Sequence, residues 1–341
     1  MTIDDDAPEP DLVLAAFGLQ AAVPMTAMTV VGGAWSNRIY RLDTGGRSFA
    51  VKEMLNPWAE PRWAEWLAEA WSFEQRALAA GVTAPLPVPN PLDGGCLAQV
   101  QRRDGTSPAD VRLHHWVDGH PIGAGPVEPA VATWAGKVLA TLHSLRVRPQ
   151  DRSLFPVPNT DTASQWPDLT DAVHRSGVAW ADQMAAIAPA VSVIAELARS
   201  AGHLPDEEVM THGDIDQKNL IATPHGPVLC DWDVAAPLVP RRELADVALS
   251  LAGWEALGIA REVVRSYRQA GGDDTEIQAS DLGQPMMIGL DWIAFNAERA
   301  IGRRPATPAE VALSSKLVPG LLAAIPHHAS TALRIPGILH L

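Results

Sequence analysis

The chain reads Thr211-His212-Gly213-Asp214-Ile215-Asp216-Gln217-Lys218-Asn219 between two apolar runs. Twelve residues past Asn219, the group Asp231-Trp232-Asp233 closes the apolar run Val228-Leu229-Cys230. This pair of motifs constrains the chain more than anything else in it. An Asp and an Asn five residues apart on a loop, followed by an Asp at a strand end, can converge on magnesium and on a hydroxyl. All three supply oxygen donors, as a hard cation requires. A turn with Gly213 at positive φ, flanked by solvated acids, would use the same residues. The rest of the chain has to separate the two readings.

A length of 341 residues suits one large two-lobed domain or two ordinary ones. Hydrophobic residues make up 47% of the chain and charged ones 19%, enough apolar surface for a substantial core. The formal net charge of −14 argues against a nucleic-acid partner, because phosphate backbones are gripped by Lys and Arg patches. It allows a cationic ligand. No apolar run approaches the ~20 residues that a membrane span needs. The acidic, Pro-containing start is unlike a signal peptide. Cys96 and Cys230 lie in apolar strand-like runs and suggest buried thiols rather than a disulfide framework. A cytoplasmic protein is expected.

Residues 1–20 read as a tail with a short amphipathic helix. Strand, glycine turn and strand follow over 28–42; Gly32 and Gly33 would let backbone N–H groups approach a triphosphate, and Ser36 could add a hydroxyl. A plain hairpin would use the same residues. After a second turn at Gly45-Gly46, alternation over 48–54 puts Phe49, Val51 and Glu53 on one face and Ala50, Lys52 and Met54 on the other. A helix over 56–80, stopped by Gly81, carries Trp63, Leu67, Ala70, Trp71, Glu74 and Leu78 on one stripe. An acid on a buried stripe needs a partner. Lys52 is the expected partner of Glu74, with Glu69 the runner-up. A hairpin over 96–116 ends in His115-Trp116-Val117.

Beyond residue 118 the pattern turns helical: a stripe over 129–145 ending near His143, a polar and Pro-rich loop over 147–165, and Ala-rich helices over 167–200. Past the acidic loop comes a small hairpin, then a helix opening at Glu243-Leu244-Ala245-Asp246-Val247-Ala248. The apolar residues 317–341, with Pro319, Pro326 and Pro336 interspersed, are expected to pack on the C-terminal part.

The motifs in this order resemble the aminoglycoside phosphotransferase family and its small-molecule kinase relatives. His-Gly-Asp stands where protein kinases have His-Arg-Asp. The resemblance covers about 31–301. It takes in the glycine turn, strand lysine, helix glutamate, hinge, H-G-D-x-x-x-x-N, strand Asp and Asp-Val-Ala. It implies an α/β (α+β), protein-kinase-like fold of two lobes. An N-terminal antiparallel sheet with one helix, 21–117, would bind ATP or GTP, and a mainly helical lobe, 118–341, would hold the catalytic loop. By position Asp214 would be the catalytic Asp, and Asn219 and Asp231 the Mg2+ ligands. Lys52 would hold phosphates with Glu74 behind it. Main chain at His115 and Val117 would meet the adenine edge, and Asp246 would brace the loop around His212. Asp216 stands where protein kinases often carry a lysine, which leaves Lys218 as the cation nearest in sequence.

The resemblance also places substrate recognition on the C-terminal helices, where acids and aromatics gather. Asp233, Glu255, Asp291, Trp254, Trp292 and Glu298 would suit an ammonium-bearing antibiotic. The same residues would also serve as a solvated face with core tryptophans. The expected activity is transfer of the γ-phosphate to a hydroxyl of a small molecule, an aminoglycoside or similar antibiotic first. A kinase of a cellular metabolite and a catalytically silent nucleotide-binding module are the alternatives. The complete set Lys52, Asp214, Asn219 and Asp231 argues against the silent module.

Overall fold

The computed structural model describes residues 6–20, 26–32, 37–55, 60–155 and 161–339. In chain order they form α1 (Pro10–Ala16), β1 (Thr26–Val31), β2 (Asn37–Thr44), β3 (Arg47–Met54), α2 (Trp63–Ala79), β4 (Pro87–Val88), β5 (Ala98–Val100), β6 (Ala109–His115) and β7 (His120–Pro121). Then come α3 (Pro129–Ser144), α4 (Thr162–Ser176), α5 (Ala181–Ala186), α6 (Ala188–Ala201), β8 (Val209–Thr211), β9 (Leu220–Thr223) and β10 (Gly226–Leu229). The helices α7 (Pro240–Leu251), α8 (Leu257–Gln269), α9 (Gly283–Ala300) and α10 (Pro308–Ala332) complete the larger elements. Two compact units result. The first holds Met1–Ile122, Pro149–Phe155 and Lys218–Ala236; the second holds Gly123–Arg148, Pro156–Gln217 and Pro237–Leu341. The chain leaves the first unit after Ile122 and re-enters it twice.

In the first unit the antiparallel sheet runs β1-β2-β3-β6-β4, with β5 also on β6. Gly45 and Gly46, at φ +50° and +88°, make the two-residue turn that pairs Thr44 with Arg47. Both positions need positive φ, which glycine adopts without a Cβ clash. That turn fixes the faces. Tyr40, Leu42, Phe49, Val51, Val111 and Leu113 are buried together with Val13 and Leu14 of α1 and with Phe17, which follows it. The opposite face presents Lys52 and, by register, Arg112 beside it. Glu74 of α2 bonds to that face through Arg112 and His114. The buried residues of α2 are Leu67, Ala70, Phe73, Glu74 and Ala77, while Trp71 and Leu78 are half-buried. Gly81 at φ +88° follows the helix end, as the sequence predicts.

The second unit is helical. In it α3 crosses α8 closely at Gly136. A Cβ there would lie 2.4 Å from Val263 O and 2.8 Å from Tyr267 N. Those atoms are backbone and cannot swing aside. Gly136→Ala is therefore expected to destabilise the unit by about 1–3 kcal/mol, the usual cost of overpacking. Gly320→Ala, in the open space of α10, should gain about 0.5–1 kcal/mol. Urea midpoints of the two variants should move in opposite directions; a raised midpoint for Gly136→Ala contradicts this packing.

Most of the apolar stretch from 317 belongs to α10, a helix that begins at Pro308 and continues through Pro319 and Pro326. Its N-terminus carries a reciprocal capping box, Thr307 with Glu310, which satisfies first-turn donors. Val318, Leu322, Ile325 and Ala329 make its buried stripe, and Ser314 donates to Asn296 of α9 at 2.9 Å. By length and composition alone α10 could cross a membrane, with a mean hydropathy of 1.3 over 18 residues.

Candidate active site

The hairpin β9–β10 brings the two expected metal ligands to one end of itself. Its last register pair is Leu220 with Leu229, and the Cys230 N–H donates to Asn219 O at 2.8 Å. Asn219 enters the hairpin where Asp231 leaves it. Asp231 has φ +68°, a left-handed conformation that Asp tolerates better than most residues. Non-glycine residues held in that region carry strain, which tends to collect at functional sites. Lys52 donates to Asp231 and forms an ion pair with Asp233.

Behind Lys52 the partners differ from the sequence expectation. Glu74 accepts from Arg112 at 2.6 Å and from the His114 ring N–H at 3.2 Å, and Arg112 also pairs with Asp233. Lys52 is thus paired with the acids after β10, and Glu74 with an arginine. The reason is register. Lys52 and Arg112 are cross-strand partners on one face, and the fork of Arg112 reaches the helix acid. The runner-up, Glu69, accepts from the Gln150 N–H at 2.9 Å. Burial alone would raise the Glu74 carboxyl; Arg112 and His114 outweigh it and hold Glu74 below its ordinary value. Asp233, proposed from sequence as a substrate acid, has a side chain only 7% exposed, wedged between Lys52 and Arg112.

Burial pushes the His114 ring down from its ordinary value, against the pull of Glu74. Burial likewise takes His328 down to about 4. Both rings stay neutral in the fold while the unfolded chain takes up protons below pH ~6.5. Stability should therefore fall as pH drops from 7 towards 5, by at most ~1.4 kcal/mol per pH unit for each proton. Below the ordinary Glu range the depressed carboxyls, Glu74 and Glu243, add a second loss. Melting temperatures across pH 4–8 check the sign, and His114→Gln should flatten the slope between pH 5 and 7. A slope unchanged in that variant rules His114 out as its source.

Of the remaining first-unit candidates, Gly32 has open space where a side chain would stand. Gly33 and Ser36 lie outside the described residues. The His115 N–H is taken by Leu86 O and the Trp116 N–H by Ser48 O, so sheet pairing reaches the residue just before Val117.

In the second unit, β8 leads into His212-Gly213-Asp214. Thr211 and His212 are fully buried, Gly213 turns at φ +81°, and the Asp214 N–H lies 3.3 Å from His212 Nδ1. Glu243 holds this turn. It accepts from Thr211 Oγ1 at 2.6 Å, from the Gly213 N–H at 3.0 Å and from His143 Nε2 at 2.7 Å. Tyr267 lies on the other ring nitrogen of His143, at 2.9 Å. Burial works to raise the Glu243 carboxyl, and the hydrogen bonds from His143, Thr211 and Gly213 bring it below its ordinary value. Sequence reasoning named Asp246, three residues further along α7, as a brace and did not name Glu243. The visible signal for Glu243 was an acid one helical turn before Asp246. Gln217 anchors the far side of the loop, donating to Gly125 O at 2.8 Å and Ser250 O at 2.7 Å.

The expected substrate residues are scattered among partners. Asp291 accepts from Thr162 Oγ1, and Glu298 pairs with Arg304 at 3.0 Å. Trp292 stacks on Phe295, with ring centroids 5.6 Å apart. Glu255 is exposed. Trp254 is left-handed at φ +59° and stacks on His328 at 4.0 Å. Among the described residues no group of three His, Cys, Asp or Glu side chains could hold a metal on its own.

A model of the phosphotransferase enzyme family (APH) matches residues 27–277. No curated protein matches the chain. Solved structures do. Spectinomycin phosphotransferase, in complex with ADP and spectinomycin, has a TM-score of 0.68 at 14% identity, covering 93% of this chain and 97% of its own. Amicoumacin kinase, in complex with AMP-PNP and Ca2+, has a TM-score of 0.62 at 12% identity, covering 92% of each chain. A microcompartment-associated aminopropanol kinase has a TM-score of 0.59 at 15% identity, covering 95% of this chain and 99% of that one. At such identities the likeness is one of fold, and it agrees with the antiparallel sheet and helical second unit seen here. The family match spans the sheet, Lys52, the Asp214 loop, the β9–β10 hairpin and α7, and the chain belongs to the phosphotransferase enzyme family.

Proposed function

We propose that the protein transfers the γ-phosphoryl group of ATP or GTP to a hydroxyl of a small molecule, with Mg2+. The observation that carries this reading is the β9–β10 hairpin. It sets Asn219 beside the segment of Asp231, and Lys52 comes to the same carboxylate. Two oxygen donors are few for a cation held by protein alone but suit magnesium, which keeps waters and takes further oxygens from phosphates. Asn219 and Asp231 would hold that ion, which when bound neutralises charge on the phosphate oxygens. Lys52 would exchange Asp231 for phosphate and keep Asp233. Backbone at Gly32 and Gly33, with Ser36, would cover the phosphates, and main chain at His115 and Val117 would take the base. Asp214 would orient the acceptor hydroxyl and accept its proton, while Glu243 and His143 keep the turn rigid. Lys218 is the proposed cation for the departing phosphoryl group. Catalysis by such a set is positioning and charge neutralisation.

For the acceptor we propose a hydroxylated amine, with aminoglycoside-type antibiotics as the first class and amino alcohols as the second. The net charge of −14 and the exposed Glu255 support a cation. Glu298 and Asp291 support it less, because each already has a partner. Trp254, beside Glu255, is the proposed ring contact. A nucleotide-consumption assay over aminoglycosides, other hydroxylated antibiotics and amino alcohols tests this, paired with resistance in a sensitive bacterial host. Stimulation by an antibiotic class together with resistance supports the first reading. Stimulation by amino alcohols alone moves the protein to the second, and stimulation only by uncharged alcohols overturns the cationic acceptor.

A further inference from the structure

The charges behind the proposed phosphate site alternate along one chain, buried at its Glu74 end: Glu74, Arg112, Asp233, Lys52, Asp231. The side chains of Arg112 and Glu74 are 1% and 0% exposed. A buried guanidinium is tolerable only where its fork meets carboxylates. Here Nη2 meets Glu74 at 2.6 Å and Nη1 meets Oδ1 of Asp233. The other oxygen of Asp233, Oδ2, meets the Lys52 ammonium. One carboxylate therefore serves two cations, and its orientation is set by the arginine. No functional role is otherwise given to Arg112 by the motifs, and a charged residue between Val111 and Leu113 in a central strand calls for one.

We propose that Arg112 is a positioning residue for Lys52, and that the helix acid Glu74 acts on the lysine through Arg112 and Asp233 rather than by touching it. This rests on the reading of Lys52 as a phosphate ligand. Asp233 is then the counter-ion that stays with Lys52 whichever partner Asp231 takes. The planar fork is essential to the relay, because it bonds two carboxylates at fixed angles. A lysine at position 112 would keep the charge and lose the geometry.

The test is a cycle read by calorimetric titration with a non-hydrolysable ATP analogue and magnesium. Four proteins are compared: wild type, Arg112→Lys, Lys52→Met and the double variant. Arg112→Lys is expected to weaken binding about tenfold, as loss of one charge-assisted contact would. In the Lys52→Met background the same change is expected to cost less than about twofold, because the residue it acts through is gone. Equal losses in both backgrounds, or no loss in either, overturn the relay and leave Arg112 a structural residue. Lys52→Met binding as tightly as wild type overturns instead the phosphate-ligand reading, a separate outcome. Thermal unfolding establishes that each variant is folded. If Arg112→Lys does not fold, Glu74→Gln takes its place in the cycle. It is expected to cost about threefold with Lys52 present and under about twofold without it, and equal costs again overturn the relay.

Discussion

Asp214→Asn is expected to lower phosphoryl transfer by roughly a hundred- to ten-thousand-fold while nucleotide affinity stays close to that of wild type. Asparagine has nearly the shape of aspartate but cannot accept the proton of an acceptor hydroxyl, and a positioned base contributes about that factor. The turn that carries Asp214 has support from another side chain. Glu243 holds it from the preceding residue, through the Gly213 N–H and Thr211. The variant should therefore fold, and its loss should appear in the chemical step. The proposed nucleotide contacts, Lys52, Asn219 and Asp231, are unaltered. Single-turnover measurements with a true acceptor, alongside a nucleotide titration, separate the two quantities. Wild-type turnover in the variant would remove Asp214 from the mechanism.

Asp231→Ala is expected to weaken magnesium-nucleotide binding and turnover together, the latter by at least about a hundredfold, as for loss of one preorganised electrostatic group. Two effects combine. A proposed metal ligand is lost, and Lys52 loses one of its two carboxylates. A third must be separated from them, because alanine at φ +68° carries a left-handed strain of roughly 1–2 kcal/mol. Asp231→Asn is the control, since asparagine accepts that conformation. Loss of metal-dependent affinity in both variants assigns the effect to the carboxylate. A variant that keeps the full magnesium dependence of nucleotide binding would place the metal elsewhere.

Much of the first unit was legible in the sequence because its signals are local. Gly45-Gly46 announced a tight turn, and alternation sorted Phe49 and Val51 from Lys52. The stripe of α2 put Glu74 inward, and Gly81 ended the helix. The partner of Glu74 was not local. Which cation meets it depends on the pairing of β3 with β6, and Lys52 and Arg112 sit side by side only in the folded sheet. Glu243 was hidden in the same way. Its carboxylate reads as a first-turn helix acid until His143, from a hundred residues earlier, is seen against it. The helix α10 was not named for the opposite reason. Pro319 and Pro326 are local signals strong enough to suggest a break, and the packing of Val318, Leu322 and Ile325 overrides them.

The central claim is that the γ-phosphoryl group leaves a nucleotide and arrives on a hydroxyl under the control of Asp214. Nucleotide labelled in the γ position follows that group directly, with the acceptor recovered and analysed by mass spectrometry. The account predicts that the label appears on one hydroxyl of the acceptor, that the acceptor gains a single phosphoryl group, and that Asp214→Asn abolishes the transfer. Label released only as inorganic phosphate, at a rate the same in wild type and in Asp214→Asn, would contradict it.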